Sequence, residues 1–284
     1  MRLEYIAEGN NTLSEELKLH TTRKLYKSIR SLNLKIYVNG VCTKTYLPVS
    51  KGDIITIDYD IDKEPSWPLY ESKLDIYYED KDYLIVNKRS GLLSIPTKAE
   101  PYSIFQEVLY YLKMKNEPLT ISLLNRLDKE TRGLMMIAKN RVAANLMQPT
   151  HKKMERYYLC LTHGIWSDKE GTIDTFISKD IDSNKRYISN DGKRAISHYR
   201  VLKEYMDSSL VEFHLETGRT HQIRLHTSYM GHPIFGDMMY GICDSSSEME
   251  LVSYKIEFHH PILNKDIVIE IKGDRLNEAR DNNI

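Results

Sequence analysis

LLNRLDKETRGLMMIAKN, residues 123–140, is the stretch on which the reading of this chain turns. Apolar residues flank a short polar turn, and Gly133 lets the backbone swing back. A turn between two strands holds its side chains at a rigid edge, a good place for a catalytic carboxylate. Asp128 stands between Arg126 and Lys129, with Arg132 close by. Positive neighbours lower a carboxylate's pKa, so Asp128 is expected to be ionised at neutral pH and available as a nucleophile. An aspartate in a turn is more often a turn former or a surface ion pair, so the segment alone makes Asp128 a candidate and no more.

Two further segments carry chemistry. TGRTHQIRLHTSYMGHPIFGDMMYG (217–241) reads as a turn at Thr217-Gly218 and a helix capped by Thr220, running to about Met230. Gly231 ends that helix, with Pro233 beyond it. Arg224 falls in the second turn, its stem held and its guanidinium able to grip a carboxylate bidentately. A surface salt bridge is its ordinary alternative. His221 and His226 lie five residues apart, a poor spacing for one metal, so no metal site is read here. MERYYLCLTHG (154–164) alternates like a strand, sending Tyr158, Cys160 and Thr162 to one face. A tyrosine there can stack on a base and assist a proton transfer. With 20 tyrosines in the chain, a core role is the default for any one of them.

The whole chain sets looser bounds. Its 284 residues are 41% hydrophobic and 28% charged, an ordinary globular balance with length for a proper core. No apolar run approaches the roughly 18 residues of a membrane span. The opening MRLEYIAEGNNT lacks the apolar stretch of a signal peptide, so a cytoplasmic protein is expected. Cys42, Cys160 and Cys243 fit neither a disulfide framework nor zinc-ligand spacing. Net charge is zero, but residues 121–160 hold eight Lys/Arg against three Asp/Glu, and residues 244–284 hold five against nine. A neutral total can therefore conceal one positive face suited to phosphates.

Residues 1–62 read as a small unit. Thr22 can cap a short helix with an apolar stripe at Leu25, Ile29 and Leu32, and Arg23, Lys27 and Arg30 repeat the same spacing on another face. LKIYVNG and KGDIITIDY then alternate like strands, with turns at Asn39-Gly40 and Gly52-Asp53. This combination resembles the S4 RNA-binding module. Around IDKEPSWPLYES a linker is expected at 63–73. From Leu74 to 275, strands such as DYLIVNK, LMMIAK, YYLCLTHG, AISHYRVLKEY, SLVEFHLE and KIEFHHPIL interleave with helical patterns near 102–113, 141–148 and 221–230. They show no regular βαβ units, which favours an α+β fold with a mixed, mostly antiparallel sheet. A frayed tail is expected at 276–284.

Taken together, YYEDKDYLIVNKRSGLLSIP, NRLDKETRGLMMIAKN, MERYYLCLTHG and the 217–241 block occur in an order that resembles the RluA-type pseudouridine synthases, a family acting on ribosomal and transfer RNA. The likeness covers roughly residues 74–262. It implies the pseudouridine synthase fold, with Asp128 as nucleophile, Tyr158 stacked on a flipped uracil and helping to remove its C5 proton, and Arg224 paired with Asp128. The N1–C1′ bond breaks, the base turns, and C5–C1′ forms, without metal or redox cofactor, on a nucleotide extruded from its stack. Arg126, Arg132, Arg219, His221 and Gln222 become candidate RNA-binding residues at the site, with Arg23, Lys27 and Arg30 in the S4-like unit. RNA is the implied partner of a chain expected to be monomeric and free of membrane.

Four positions depart from the family pattern. Asn125 stands where His is common, Arg132 where a small Ser is usual, Arg89 where the NKPxG block has Pro, and Cys160 at a common Ala position. Arg132 is expected to strengthen phosphate binding or crowd the pocket, and Arg89 to loosen its loop. These two residues sustain an alternative, a catalytically inactive RNA-binding or ribosome-assembly relative. A two-carboxylate hydrolase would need a second acid near Asp128. Glu130, the only nearby one, is expected to point elsewhere. If the synthase reading holds, Asp128 lies within about 4 Å of Arg224 and Tyr158 lines the same cleft.

Overall fold

The structure, a computed structural model, describes residues 2–21, 26, 29, 35–58, 68–147, 154–183 and 185–281. Thr22, Arg23, Lys27 and Arg30, and the first part of the expected linker, lie outside these residues. In the N-terminal unit β1 (Arg2–Ile6) and β2 (Asn11–Thr12) precede a helix, α1 (Leu13–His20), absent from the sequence expectations. Its start is a capping box, in which Thr12 and Glu15 each accept the other's backbone N–H. The T-x-x-E pattern is legible at 12–15 once sought. β3 (Lys35–Val38) and β4 (Val41–Thr43) form a hairpin at the expected turn, with Asn39 and Gly40 at φ 49° and 81°. β5 (Pro48–Val49) pairs with β2, and β6 (Ile54–Asp58) completes a four-stranded sheet in the order β1-β6-β3-β4. Leu13, Leu17, Ile36, Ile55 and Ile57 form the core of this unit.

The larger part of the chain builds one long sheet. It runs through β7 (Ile76–Glu79), β8 (Tyr83–Lys88), helix α2 (Ile104–Met114), β9 (Ser122–Leu123), β10 (Arg132–Ala138) and helix α3 (Arg141–Leu146). There follow β11 (Met154–His163), β12 (Glu170–Lys179), β13 (Arg186–Ile188), β14 (Lys193–Glu204) and β15 (Ser208–Leu215). Helix α4 (Gln222–Tyr229), β16 (Leu251–His260), β17 (Lys265–Glu270) and helix α5 (Arg275–Asp281) complete it. The order is β13-β12-β14-β15-β11-β16-β10-β8-β7, with β17 on β16 and β9 on β10. Its strand pairs are antiparallel except β10 with β16, so the sheet is mixed and mostly antiparallel, as expected. No helix among the described residues is long and apolar enough to cross a membrane.

Strand periodicity explains the two cores. On β8 and β10, Leu84, Val86, Met135 and Ile137 face one side, where Ile104, Val108 and Leu112 of α2 join them. Tyr83, Ile85, Leu134 and Met136 face the other, with Ala143 of α3 and Leu276 of α5. Burial on both faces is why these strands read as continuous apolar runs. The end of the chain corrects the expectation of a frayed tail from 276: Leu276 and Asn277 are buried, and the Asn277 side chain donates to the Ile271 carbonyl.

The β10–β16 contact is short, Arg132 opposite Val252 and Gly133 opposite Ser253, and it fixes where the preceding turn emerges. Gly133 has φ +119°, and a Cβ there would stand 2.4 Å from the Ser253 carbonyl oxygen. No side chain fits that crossing. Gly133→Ala is therefore expected to destabilise the protein by about 3 kcal/mol or more, from backbone strain and a backbone clash together. Urea unfolding measures this, and an unchanged midpoint would contradict the close crossing.

Candidate active site

The turn carrying Asp128 is sewn to its surroundings by backbone contacts. Buried Asn125 accepts from the Met136 N–H at 2.7 Å and donates to the Leu134 carbonyl at 3.2 Å, bracing the turn against β10. Ser94 Oγ donates to the Leu127 carbonyl at 2.6 Å and accepts the Leu127 N–H at 3.1 Å. Ser90 Oγ donates to the Glu130 carbonyl at 2.9 Å. Fully buried Lys88 donates to the carbonyls of Arg89, Leu92 and Lys129 at 3.0, 2.8 and 3.0 Å. Burial draws its ammonium down to about 7, against the opposing pull of Asp128 and Glu130. Residues 88–94 thus grip the backbone on both sides of Asp128. Arg89 does not loosen this loop. It forks onto fully buried Glu107 at 2.6 and 3.1 Å and donates to the Tyr102 hydroxyl, tying the loop to α2.

Arg224 enters from α4. His221, not Thr220, is the helix N-cap, in the left-handed region at φ 59°, so Arg224 is the third helical residue. Its Nε and Nη2 each donate to Asp237 at 2.7 Å, a bidentate pair with both side chains buried. Asp237 also accepts the N–H groups of Met239 and Tyr240. Burial pushes Asp237 upward, but the Arg224 hydrogen bonds and charge, together with the Met239 and Tyr240 N–H groups, outweigh it and hold the carboxyl below its ordinary value. The remaining nitrogen, Nη1, is buried without a hydrogen-bond partner. It points between two carboxylates, 3.8 Å from Asp128 Oδ2 and 3.6 Å from Glu130 Oε2. Glu130 therefore faces the same guanidinium instead of pointing elsewhere.

Asp128 and Tyr158 line one open cleft of about 990 Å³, with Arg126, Arg156, Arg219 and His221 on its walls. Tyr158 is buried, 6% exposed, and Asp128 keeps 24% of its side chain accessible. The electrostatics of Asp128 reverse the sequence expectation. Its burial pushes the carboxyl up, and His221, Arg224 and Lys88 only partly pull it back while Glu130 adds to the rise. Charged neighbours were visible in the sequence, but desolvation is not a local property. His221 is drawn down by burial, with Asp128 opposing, and its Nδ1 lies 2.8 Å from the Tyr240 hydroxyl. The Tyr240 ring sits 5.4 Å from the Arg224 guanidinium carbon.

Two candidate RNA contacts are engaged within the protein, although Gln222 also lines the cleft. Gln222 spends its side chain internally, donating to the Ile196 carbonyl and Ser197 Oγ and accepting from Thr217 Oγ1 and the Arg219 N–H. It shapes the 217–222 turn. Arg132 is not among the cleft residues. Its Nε and Nη2 bond Asp274 at 2.7 and 3.2 Å, Nη1 donates to the Met249 carbonyl, and Glu250 lies 3.4 Å away. Its guanidinium is turned to these partners and does not line the cleft beside Asp128. Of the surplus cations in 121–160, Lys129, Arg132 and Lys139 are likewise matched by carboxylates, so the local charge count overstates the positive face. The one group of metal-ligand spacing among the described residues, Asp80, Asp82 and His260, lies outside the cleft and is bonded internally.

Asp237, Lys88, Arg156 and Tyr240 were not singled out from the sequence. Asp237 and Tyr240 lie inside the GHPIFGDMMYG turn, so their proximity to a helical arginine was the available signal.

A sequence profile described as RNA pseudouridylate synthase matches residues 82–229. The uncharacterized RNA pseudouridine synthase YjbO of Bacillus subtilis is 32% identical over 256 residues, covering 88% of this chain and 90% of its own. Ribosomal large subunit pseudouridine synthase D of Vibrio cholerae is 31% identical over 255 residues, covering 82% and 78%. The solved structure of human RNA pseudouridylate synthase domain containing 1 shares the fold, with TM-score 0.59 and 22% identity over 72% of this chain and 85% of that one. The chain belongs to the RNA pseudouridylate synthase family, with the motif blocks of its RluA-type members, and is an RNA pseudouridine synthase.

Since Arg132 serves the C-terminal segment, Arg132→Ser is expected to leave RNA affinity within twofold. It should lower stability by roughly 1–3 kcal/mol through the orphaned Asp274 carboxylate. A large loss of RNA binding with unchanged unfolding would reverse that assignment.

Proposed function

We propose that this synthase isomerises one uridine of a structured RNA with Asp128 as the nucleophile. The reading is carried by one arrangement: a carboxylate at the mouth of an open cleft, 3.8 Å from a guanidinium that Asp237 already holds still. On this reading Asp128 attacks C1′ of the everted nucleotide and displaces uracil N1. The detached uracil turns over the Tyr158 ring, C5 attacks C1′ and releases the Asp128 carboxylate, and the C5 proton leaves to solvent while N1 takes one up. Burial pushes the Tyr158 phenol up, with Arg156 and a hydrogen bond from Ser253 opposing, so Tyr158 works as a neutral hydroxyl that stacks and passes the proton on. Arg224 Nη1 orients the Asp128 carboxylate without reorganising, because its other two nitrogens are committed to Asp237. Arg126, Arg219 and His221 line the cleft where the RNA backbone would pass.

The name of the Vibrio cholerae relative favours ribosomal RNA over transfer RNA as the substrate class. Residues 1–62 serve on this reading as an S4-like accessory unit ahead of a catalytic domain at 74–275, in a cytoplasmic monomer. The two substitutions that sustained an inactive relative, Arg89 and Arg132, are both engaged away from Asp128. That removes the structural argument for lost activity.

Tritium release from RNA labelled at uridine C5 tests the proposal. Asp128→Asn should abolish release, by at least about a thousandfold, while leaving the fold intact. The sign of the pKa shift adds a second expectation. A carboxyl raised by folding contributes stability below its unfolded pKa, and that contribution is lost as pH rises through the folded value. Asp128→Asn should therefore raise the melting temperature at pH 7, and the acid limb of wild-type activity should lie above the ordinary aspartate range. Full tritium release by Asp128→Asn would rule the nucleophile out.

A further inference from the structure

We propose that Arg156 forms an anion subsite in the cleft that takes a phosphodiester flanking the everted uridine. The inference deepens the base-flipping reading and rests on it. The two most buried arginines with a printed ion pair are matched by carboxylates, Arg132 by Asp274 and Arg224 by Asp237. Arg156 has none within ion-pair distance among the described residues, although it stands on the wall of the cleft two residues before Tyr158. Its Nε is buried without a hydrogen-bond partner. Its Nη1 lies over Gly218, where a Cβ would come within 2.8 Å. The missing side chain at 218 is therefore what lets the guanidinium lie against the 217–219 turn.

Burying part of a cation without a counter-ion costs stability, and a protein keeps such a group where a ligand supplies the missing charge. Among the described residues, the cleft-lining arginines have two buried guanidinium nitrogens without a hydrogen-bond acceptor. Arg224 Nη1 faces Asp128 and Glu130, so it serves the nucleophile. Arg156 lines the cleft close enough to Tyr158 to act on its phenol, with no carboxylate partner among the described residues. Uracil is neutral, so the anion that reaches this position with a base stacked on Tyr158 is the phosphate on one side of its ribose. Such a contact would offset part of the cost of unstacking the nucleotide. Arg156 thereby becomes a substrate-binding residue beside the catalytic tyrosine.

The test uses the full chain carrying Asp128→Asn, so that binding is read without turnover, with an in vitro ribosomal RNA transcript as probe. Adding Arg156→Met should raise Kd about tenfold and reduce the slope of log Kd against log salt by about 0.7–0.9, one phosphate contact. Arg156→Lys should keep the slope and lose about threefold in Kd, a point charge replacing a fork. Gly218→Ala should displace the guanidinium and weaken binding severalfold, which keeps the test open if Arg156→Met fails to fold. Unchanged Kd and slope in Arg156→Met, or unchanged Kd in Gly218→Ala, overturns the subsite. So does a fall in kcat in otherwise wild-type protein with Kd and slope untouched, the mark of a residue acting only through Tyr158. Absent tritium release in wild type, with an Arg156-dependent salt slope, would sink the synthase mechanism and leave the anion subsite standing.

Discussion

The site depends on one buried ion pair. Arg224 and Asp237 meet through two 2.7 Å hydrogen bonds with both side chains almost wholly out of water. Taking two charges into the interior is costly. Their fork geometry and the two backbone N–H groups that complete Asp237 offset that cost. Removing one partner would strand the other charge, at roughly 3–5 kcal/mol. What the pair achieves is direction. With two nitrogens of the guanidinium fixed, the third points between Asp128 and Glu130, so the field at the Asp128 carboxylate is set by the protein alone.

The carboxylate itself is placed by a different set of contacts. Asn125 braces its turn on β10, Ser94 and Lys88 hold the backbone at Leu127 and Lys129, and the glycine crossing at Ser253 fixes where β10 begins. Each of these bonds a backbone group instead of the Asp128 side chain. The turn is held rigid while the carboxylate keeps access to the cleft. Such an arrangement suits a group that is poorly hydrated yet reachable, and it explains why burial outweighs the opposing pull of His221, Arg224 and Lys88 in setting the Asp128 pKa.

The departures from the family pattern follow from partners far along the chain. Arg132 reaches Asp274, which accepts the Leu276 N–H at the start of α5, so this cation anchors a helix where a frayed end was expected. Arg89 exchanges a rigid proline for a tether onto Glu107 of α2. Neither side chain lines the cleft, and Arg89 acts on the Asp128 turn only through the loop it tethers.

The sequence by itself determined the fold class, most of the strands and three of the side chains that meet in the cleft. Period-two alternation and apolar runs are local consequences of burial, and the blocks around Asp128, Tyr158 and Arg224 survive as contiguous words. It also held the capping box at Thr12 and Glu15, a short signal easily overlooked beside the longer stripe at 25–32. The weakly apolar β12, and the β17 that covers β16, were hidden because their burial comes from strands distant in sequence. Only the tertiary structure decided where long side chains point: that Arg132 turns 142 residues away, that Arg224 answers first to Asp237, and that Gln222 is spent within the protein. A residue's type fixes which bonds it can make, but partner and desolvation are set by chains of contacts that close only when the sheet does.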